Sequence, residues 1–96
     1  MSLQINYNAG VYEIQGNLNT ENCVYLKSQL ETVIKQSNGV VVSFDSLVSI
    51  DAYAAMVITS LQESTQSNNQ IFYVIGKKNK KVEDQFNALN YHHVLM

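Results

Sequence analysis

The chain has one cysteine, no proline and no tryptophan among its 96 residues. Because Cys23 stands alone, it cannot form an internal disulfide and has no second cysteine with which to build a zinc site. We also find no glycine-rich phosphate loop, no nucleophile elbow and no paired carboxylates. The sequence therefore predicts a protein that is not an enzyme and that needs neither a metal nor a cofactor.

Long apolar runs are also missing from the sequence. No segment approaches the roughly 18 apolar residues that a membrane-spanning helix needs. Residues 1–8, MSLQINYN, lack the basic and apolar regions of a signal peptide. We therefore expect a cytoplasmic protein without membrane insertion.

Positive charge is scarce and comes from lysine alone. Lysines cluster in the segment 77–81, while the net charge of the chain is -2 and its pI is about 5.5. Nucleic-acid binding would call for a broader basic face, preferably with arginine or interleaved aromatic residues. We therefore expect a solvated turn here and no nucleic-acid partner, with contact to an acidic protein or an anionic lipid as the alternative.

The apolar content is that of an ordinary globular protein, with 46% hydrophobic and 15% charged residues. Alternating apolar residues predict strands at 3–7 and 11–15, joined by a turn into an antiparallel β-hairpin. Residues 16–20 then break the pattern, and Asn19 or Thr20 is suited to cap a following helix.

Three later segments carry apolar residues at three- and four-residue spacing, which is typical of helices with one face on a core. These residues are Leu26, Leu30, Val33 and Ile34; Ala54, Val57, Ile58 and Leu61; and Val82, Phe86 and Leu89. Continuous apolar runs predict buried strands at 40–44 and 71–75. Residues 94–96 are expected to add a short final strand.

The alternation of strands and helices predicts an α/β fold for a single domain of residues 1–96. We expect a mixed sheet of four to five strands that starts with the antiparallel hairpin and continues in parallel βαβ units with right-handed crossovers. Because three helices cannot easily cover both faces of such a sheet, they should lie mainly on one face.

The segment 40–61 combines an apolar strand, a short polar turn, Asp51 and a helix that starts with small residues. A carboxylate at Asp51 can accept hydrogen bonds from the free N–H groups of the first helical turn, so we expect Asp51 to be an N-cap. In open α/β sheets, ligands and partners engage where the strands end. Residues 51–56 are therefore the first candidate functional site.

This junction resembles the STAS domain, named for sulphate transporters and anti-sigma-factor antagonists. The family signature is an apolar strand, a turn and Asp-Ser-(Ser/Thr)-Gly at the start of a helix, where residues 51–54 of this chain read Asp-Ala-Tyr-Ala. Residues 16–18, Gly-Asn-Leu, resemble the family's Gly-x-(Leu/Ile)-Asp turn. The order of elements follows the family to about Val94.

The resemblance implies a STAS-like fold and a non-catalytic bacterial regulatory module. In such proteins a kinase of the anti-sigma type binds this loop and the following helix, and phosphorylation of the serine after the Asp breaks the complex. That position is Ala52 here, and without a hydroxyl it cannot accept a phosphoryl group. The domain is then always competent to bind or is controlled by other means. Ser49 and Ser46 in the preceding loop are candidates for a substitute phosphorylation site. The alternative is that each is simply a turn residue, which is the usual function of a serine in a polar turn.

The residues expected to bind the partner lie at the helix start and in the neighbouring loop. They are Asp51, Ala52, Tyr53, Ala55, Met56, Asn17 and Asn19. Tyr53 and Met56 lie off the core stripe, and an aromatic ring with a methionine makes a reasonable protein-binding surface. The alternative is that both side chains pack against a neighbouring loop or helix.

A second function also fits the resemblance, namely an accessory subunit that docks on the ATPase of an ABC-type lipid transport complex. Loss of the phosphorylatable serine suits that role as well. Family members usually continue past the last strand with another helix. We expect the flank left without it to favour a homodimer through an exposed strand edge or apolar patch.

Overall fold

The computed structural model describes residues 3–96, in which five strands and three α-helices follow one another along the chain. They are β1 (Gln4–Asn8), β2 (Val11–Leu18), α1 (Cys23–Ser37), β3 (Gly39–Ser43), β4 (Leu47–Ile50), α2 (Ala52–Ser67), β5 (Ile71–Ile75) and α3 (Lys80–Ala88). The five strands form one mixed sheet with the order β1-β2-β3-β5, and β4 pairs with β2. The predicted α/β architecture is confirmed.

The hairpin of β1 and β2 is antiparallel, as predicted. Ala9 and Gly10 at its tip have φ values of 52° and 88°, which match the right-handed twist of the two strands. Tyr7 and Tyr12 face each other across the pair with ring centroids 4.7 Å apart. The remaining pairs, β2 with β3, β2 with β4 and β3 with β5, are all parallel.

All three helices cover one face of the sheet. Residues on β5 alternate between buried Phe72 and Val74 and the half-exposed Ile71 and Tyr73, so the opposite face is open. The helix α2 lies in the middle of the helical layer, in contact with both α1 and α3. The predicted one-sided arrangement is confirmed, and a homodimer through an exposed strand edge or apolar patch stays a prediction.

The strand β4 is absent from the sequence-based expectation, which placed a polar turn ahead of Asp51. Leu47–Ile50 pairs in parallel with the end of β2, and β2 itself continues to Leu18 instead of ending before Gly16. The register shifts after Gly16, whose φ of 102° permits the bulge. The expectation is wrong because each short segment becomes a strand only through the distant partner that the other provides.

The predicted final strand at 94–96 is also wrong. His92–Val94 is a 3₁₀ turn, and only a single bridge joins Leu95 to Val74, with the Met96 N–H 2.8 Å from the Val74 carbonyl oxygen. The 3₁₀ turn is favoured because it buries the Val94 side chain and because the Val94 carbonyl oxygen accepts a hydrogen bond from Gln62 Nε2 at 3.1 Å.

The lysines of 77–81 are exposed at the start of α3, as expected. No helix among residues 3–96 combines the length and apolar content needed to cross a bilayer.

Candidate functional site

The candidate site is built around Asp51, which lies between the end of β4 and the first residue of α2. Its backbone is extended, with φ -94° and ψ 170°, and its Oδ1 accepts a hydrogen bond from the Ala54 N–H at 2.9 Å. This geometry satisfies one of the free N–H groups of the first helical turn. The predicted N-cap is confirmed.

The second carboxylate oxygen of Asp51 holds a loop that lies 31 residues earlier in the chain. Oδ2 accepts from the Thr20 N–H at 2.8 Å and from the Thr20 hydroxyl at 3.0 Å. The Asp51 N–H donates to the Leu18 carbonyl oxygen at 3.1 Å, which closes the connection. We call loop 19–22 together with residues 51–56 the Asp51 junction.

Loop 19–22 is held by a reciprocal pair of asparagines. Asn22 Oδ1 accepts from the Asn19 N–H at 2.9 Å, and Asn19 Oδ1 accepts from the N–H groups of Glu21 and Asn22 at 3.0 and 3.1 Å. Asn19 therefore caps the turn that precedes α1, whereas Asn22 occupies the helix N-cap position without capping it through its side chain. The loop is ordered by its own contacts before any partner arrives.

Hydrogen bonds stabilise the negative charge of Asp51. Burial alone would raise the pKa of Asp51, but the hydrogen bonds from Ala54 and Thr20 outweigh it and hold the pKa below its usual value. The nearby Cys23 thiol is buried, and both its burial and the charge of Asp51 raise its pKa. Cys23 is therefore a buried, protonated and unreactive thiol beside the junction.

The first turn of α2 exposes the predicted apolar side chains. Ala52 is exposed, and Tyr53 and Met56 are 49% and 46% exposed, so about half of each of these two residues remains accessible to a partner. Ala55 is fully buried, and its assignment to the binding face is wrong. The reason is that α2 lies between two other helices, which widens its buried side beyond the single stripe visible in the sequence.

Two further apolar side chains at this edge were not predicted as part of the site. Val24 and Tyr25, in the first turn of α1, are 57% and 58% exposed. Because α1 begins directly after the loop that Asp51 holds, they lie at the same end of the helical layer as Tyr53 and Met56. The signal for them in the sequence is their position off the stripe formed by buried Cys23, Leu26 and Leu30.

Asn17 and Ser49 lie on paired strands and not in loops. The Ser49 hydroxyl donates to Asn17 Oδ1 at 2.6 Å, and the two residues are register partners on β4 and β2. Ser49 is half-buried on this strand, so its expected position in a polar turn is wrong, whereas Ser46 lies exposed in the turn between β3 and β4.

In the part of the chain that the structure describes, no three His, Cys, Asp or Glu side chains are grouped so that they could hold a metal ion.

The sequence and fold of this chain are similar to those of known proteins. The family model of the STAS domain matches residues 1–95, and no curated protein sequence matches significantly. The solved structure of the anti-sigma factor antagonist SpoIIAA in its unphosphorylated form is similar with a TM-score of 0.73 at 13% identity, covering 99% of this chain and 86% of that one. An anti-sigma factor antagonist from Mycobacterium paratuberculosis reaches 0.71 at 9% identity, over 98% of this chain and 81% of that one.

The phosphorylated form of SpoIIAA, described as a Bacillus cell fate determinant, is also similar. Its TM-score is 0.67 at 12% identity, covering 99% of this chain and 89% of that one. These likenesses concern the fold, which agrees in each case over nearly the whole chain. The family model, matched over almost every residue, decides the affiliation: the chain belongs to the STAS domain family.

Proposed function

We propose that this STAS domain is a non-catalytic regulatory module of the cytoplasm that binds a kinase-like anti-sigma-type protein through the Asp51 junction. The observation that carries the proposal is the exposure of four large apolar side chains at the adjoining starts of α1 and α2. They are Val24, Tyr25, Tyr53 and Met56. Apolar side chains exposed as a group, and not singly, mark interaction surfaces, and tyrosine and methionine are enriched in the cores of interfaces.

The loop beside these side chains supports the same proposal. Its reciprocal Asn19–Asn22 hydrogen bonds and the Thr20–Asp51 hydrogen bonds hold it in one conformation. A partner that binds such a surface does not have to order it first, which limits the entropic cost of association.

The proteins of similar structure also favour this function over the transporter alternative. SpoIIAA and the mycobacterial protein are described as anti-sigma factor antagonists. We therefore do not carry the transporter alternative further.

The proposed binding face can be tested by calorimetric titration with the protein partner. The partner is first recovered from the source organism with the wild-type chain and is then purified. Replacing Tyr53 or Met56 by Ala should weaken binding by about tenfold each, as for buried interface anchors. Ala52→Glu should abolish binding, because it places a charge and extra bulk beside the two anchors.

Tyr73→Ala is the matched control for Tyr53→Ala. Tyr73 is 47% exposed, nearly as much as Tyr53 at 49%, but it lies on the open face of the sheet. Its replacement should leave the affinity unchanged. If Tyr73→Ala weakens binding while Tyr53→Ala does not, the partner binds the open sheet face and the proposed site is wrong.

A further inference from the structure

We propose that two copies of the chain form a weak, two-fold symmetric dimer by packing the open faces of their sheets against each other. The open face is the side of β1, β2, β3 and β5 that the three helices leave uncovered. This inference goes beyond the proposed function and does not depend on it, because the Asp51 junction belongs to the helical layer on the other side of the sheet.

The strand registers determine which side chains lie on the open face. Ile14 and Val42 are fully buried and therefore point toward the helices. Because successive side chains on a strand point to opposite faces, their neighbours along the chain point away from the helices. Across the paired strands, the open face thus receives three residues from each strand. They are Gln4, Asn6 and Asn8; Val11, Glu13 and Gln15; Gly39, Val41 and Ser43; and Ile71, Tyr73 and Ile75.

One half of the open face is apolar. Val41 is the register partner of Tyr73. Ile71 lies beside Gly39, where an added Cβ would come within 2.9 Å of the Ile71 Cβ, so the absent side chain at Gly39 makes room for Ile71. Together with Ile75, these residues form a continuous patch without a charged side chain. A contiguous exposed apolar patch marks an interaction surface, unlike single exposed apolar residues.

The other half of the open face is polar but almost uncharged, which favours a second copy as the occupant. β1 contributes Gln4, Asn6 and Asn8. Asn6 Nδ2 donates to Gln15 Oε1 at 3.2 Å, so amides already pair with each other on this face. A side-chain amide both donates and accepts hydrogen bonds and can therefore pair with the same amide of an identical chain. Among the strands that the structure describes, Glu13 is the only charged residue, so the face offers little to a strongly charged partner.

The distribution of these side chains selects one symmetry axis. A two-fold axis that lies between the two sheets and runs across the strands, over Val41 and Tyr73, places each strand on its own copy. The apolar β5 then packs on β5 and the amide-rich β1 on β1, whereas an axis along the strands would place β1 on β5. The two Glu13 residues lie two positions from the axis in opposite directions. They are therefore about 13 Å apart along the strands, a separation at which charges are largely screened in about 0.1 M salt.

The size of the open face predicts a weak dimer. A stable interface uses about 20–30 residues and about 800 Å² per partner, and three residues on each of four strands are about half as many. Scaling by the number of residues gives roughly 400 Å² per copy and about 800 Å² in total, the size of a transient contact. We therefore expect a dissociation constant between about 10 μM and 1 mM. Both Asp51 junctions remain accessible in this dimer, because the helical layers lie on its outside.

Sedimentation velocity of the full chain between about 5 μM and 1 mM tests the dimer, and the wild-type sedimentation coefficient should rise with concentration. Tyr73→Lys places a cation at the centre of the open face, on an outer strand where lysine is tolerated, and should raise the dissociation constant at least about tenfold. Tyr53→Lys is the matched control, because Tyr53 is exposed to nearly the same extent but lies on α2, and it should dimerise like the wild type. A wild-type chain that stays monomeric at about 1 mM overturns the inference, as does a Tyr73→Lys chain that is folded and dimerises as strongly as the control.

A second measurement locates the contact without any substitution. In ¹H–¹⁵N spectra, raising the wild-type concentration from about 20 μM to 1 mM should shift the amide signals of Val41 and Tyr73. The amide signals of Thr20 and Ala54, at the Asp51 junction, should not move. Shifts at the junction without shifts on β3 and β5 would show that the copies associate elsewhere and would contradict the inference. Neither measurement involves the partner, so the proposed function is tested separately, by the calorimetric titrations.

Discussion

Replacing Asp51 by Ala should destabilise the domain by an amount that its three accepted hydrogen bonds set. Loss of the helix cap to Ala54 costs about 1 kcal/mol. Loss of the two hydrogen bonds from Thr20 costs about 0.5–1 kcal/mol each at this partly exposed position. The sum is about 2–3 kcal/mol, which for a domain of this size lowers the melting temperature by roughly 8–24 °C.

Urea denaturation followed by circular dichroism measures this change in unfolding free energy. A second substitution at Asp51 separates the helix cap from the bonds to Thr20, and a substitution at Asp45 is the control. Asp51→Ser keeps a capping oxygen but is too short to reach Thr20, so it should lose about half as much as Asp51→Ala. Asp45→Ala is the matched control, because the buried Oδ1 of Asp45 has no hydrogen-bond partner among the described residues. That control should be neutral or slightly stabilising. An unfolding free energy of Asp51→Ala within about 0.5 kcal/mol of the wild-type value, the range of an ordinary surface substitution, would show that these hydrogen bonds do not stabilise the domain.

The effect of Asp51 should also depend on pH in one direction. The pKa of Asp51 is lowered in the folded state, so its stabilisation is present above the pKa of the unfolded chain, about 3.9, and is lost as the pH falls through the folded value. The difference in unfolding free energy between wild type and Asp51→Ala should therefore be constant from neutral pH to about 5 and shrink below about 4. A difference that grows in acid would contradict the assignment of the stabilisation to the ionised carboxylate.

Asn79 and Cys23 give the remaining predictions. Asn79 Nδ2 lies 2.9 to 3.1 Å from the carbonyl oxygens of Phe44, Asp45 and Leu47, while Oδ1 caps α3, so Asn79→Ala should cost about 2–4 kcal/mol in urea denaturation. Asn79→Asp keeps the capping oxygen but turns an anion toward these carbonyl oxygens, so it should recover little of the lost stability. A loss of unfolding free energy below about 1 kcal/mol in both variants would contradict this function of Asn79. The Cys23 thiol, buried and with a raised pKa, should react with a thiol reagent at least about 100-fold more slowly in the folded chain than in urea, even at mildly alkaline pH, and rapid labelling of the folded chain would contradict its burial.

The parts of the site that the sequence predicts correctly depend on local contacts. The Asp51 cap joins a side chain to an N–H three residues later, and nothing distant has to be known to expect it. The same holds for the exposure of Tyr53 and Met56, which follows from their angular position on one helix. The buried Ala55 was misplaced because its burial depends on which helices flank α2, and that is set by the order of strands in the sheet.

The parts that the sequence could not supply depend on contacts between distant segments. The strand β4 has four residues and no apolar alternation strong enough to predict it, and it exists because β2 continues far enough to pair with it. The two bonds between Thr20 and Asp51 join residues 31 positions apart, and they form because this pairing brings the end of β4 beside the end of β2. An error about one short strand therefore concealed the contact that organises the site.

The separate contacts of the two oxygens of Asp51 connect the fold to the proposed binding face. Oδ1 stabilises α2 through Ala54, and Oδ2 holds loop 19–22 through Thr20. Because the two sets of hydrogen bonds share a carboxylate but not an oxygen, a change at Thr20 can move the loop while the helix start that carries Tyr53 and Met56 keeps its cap. A single carboxylate that capped the helix with both oxygens would have to unwind the first turn to achieve the same change. Loop 19–22 can therefore open locally, with the cap of α2 intact, at a cost well below that of unfolding the domain.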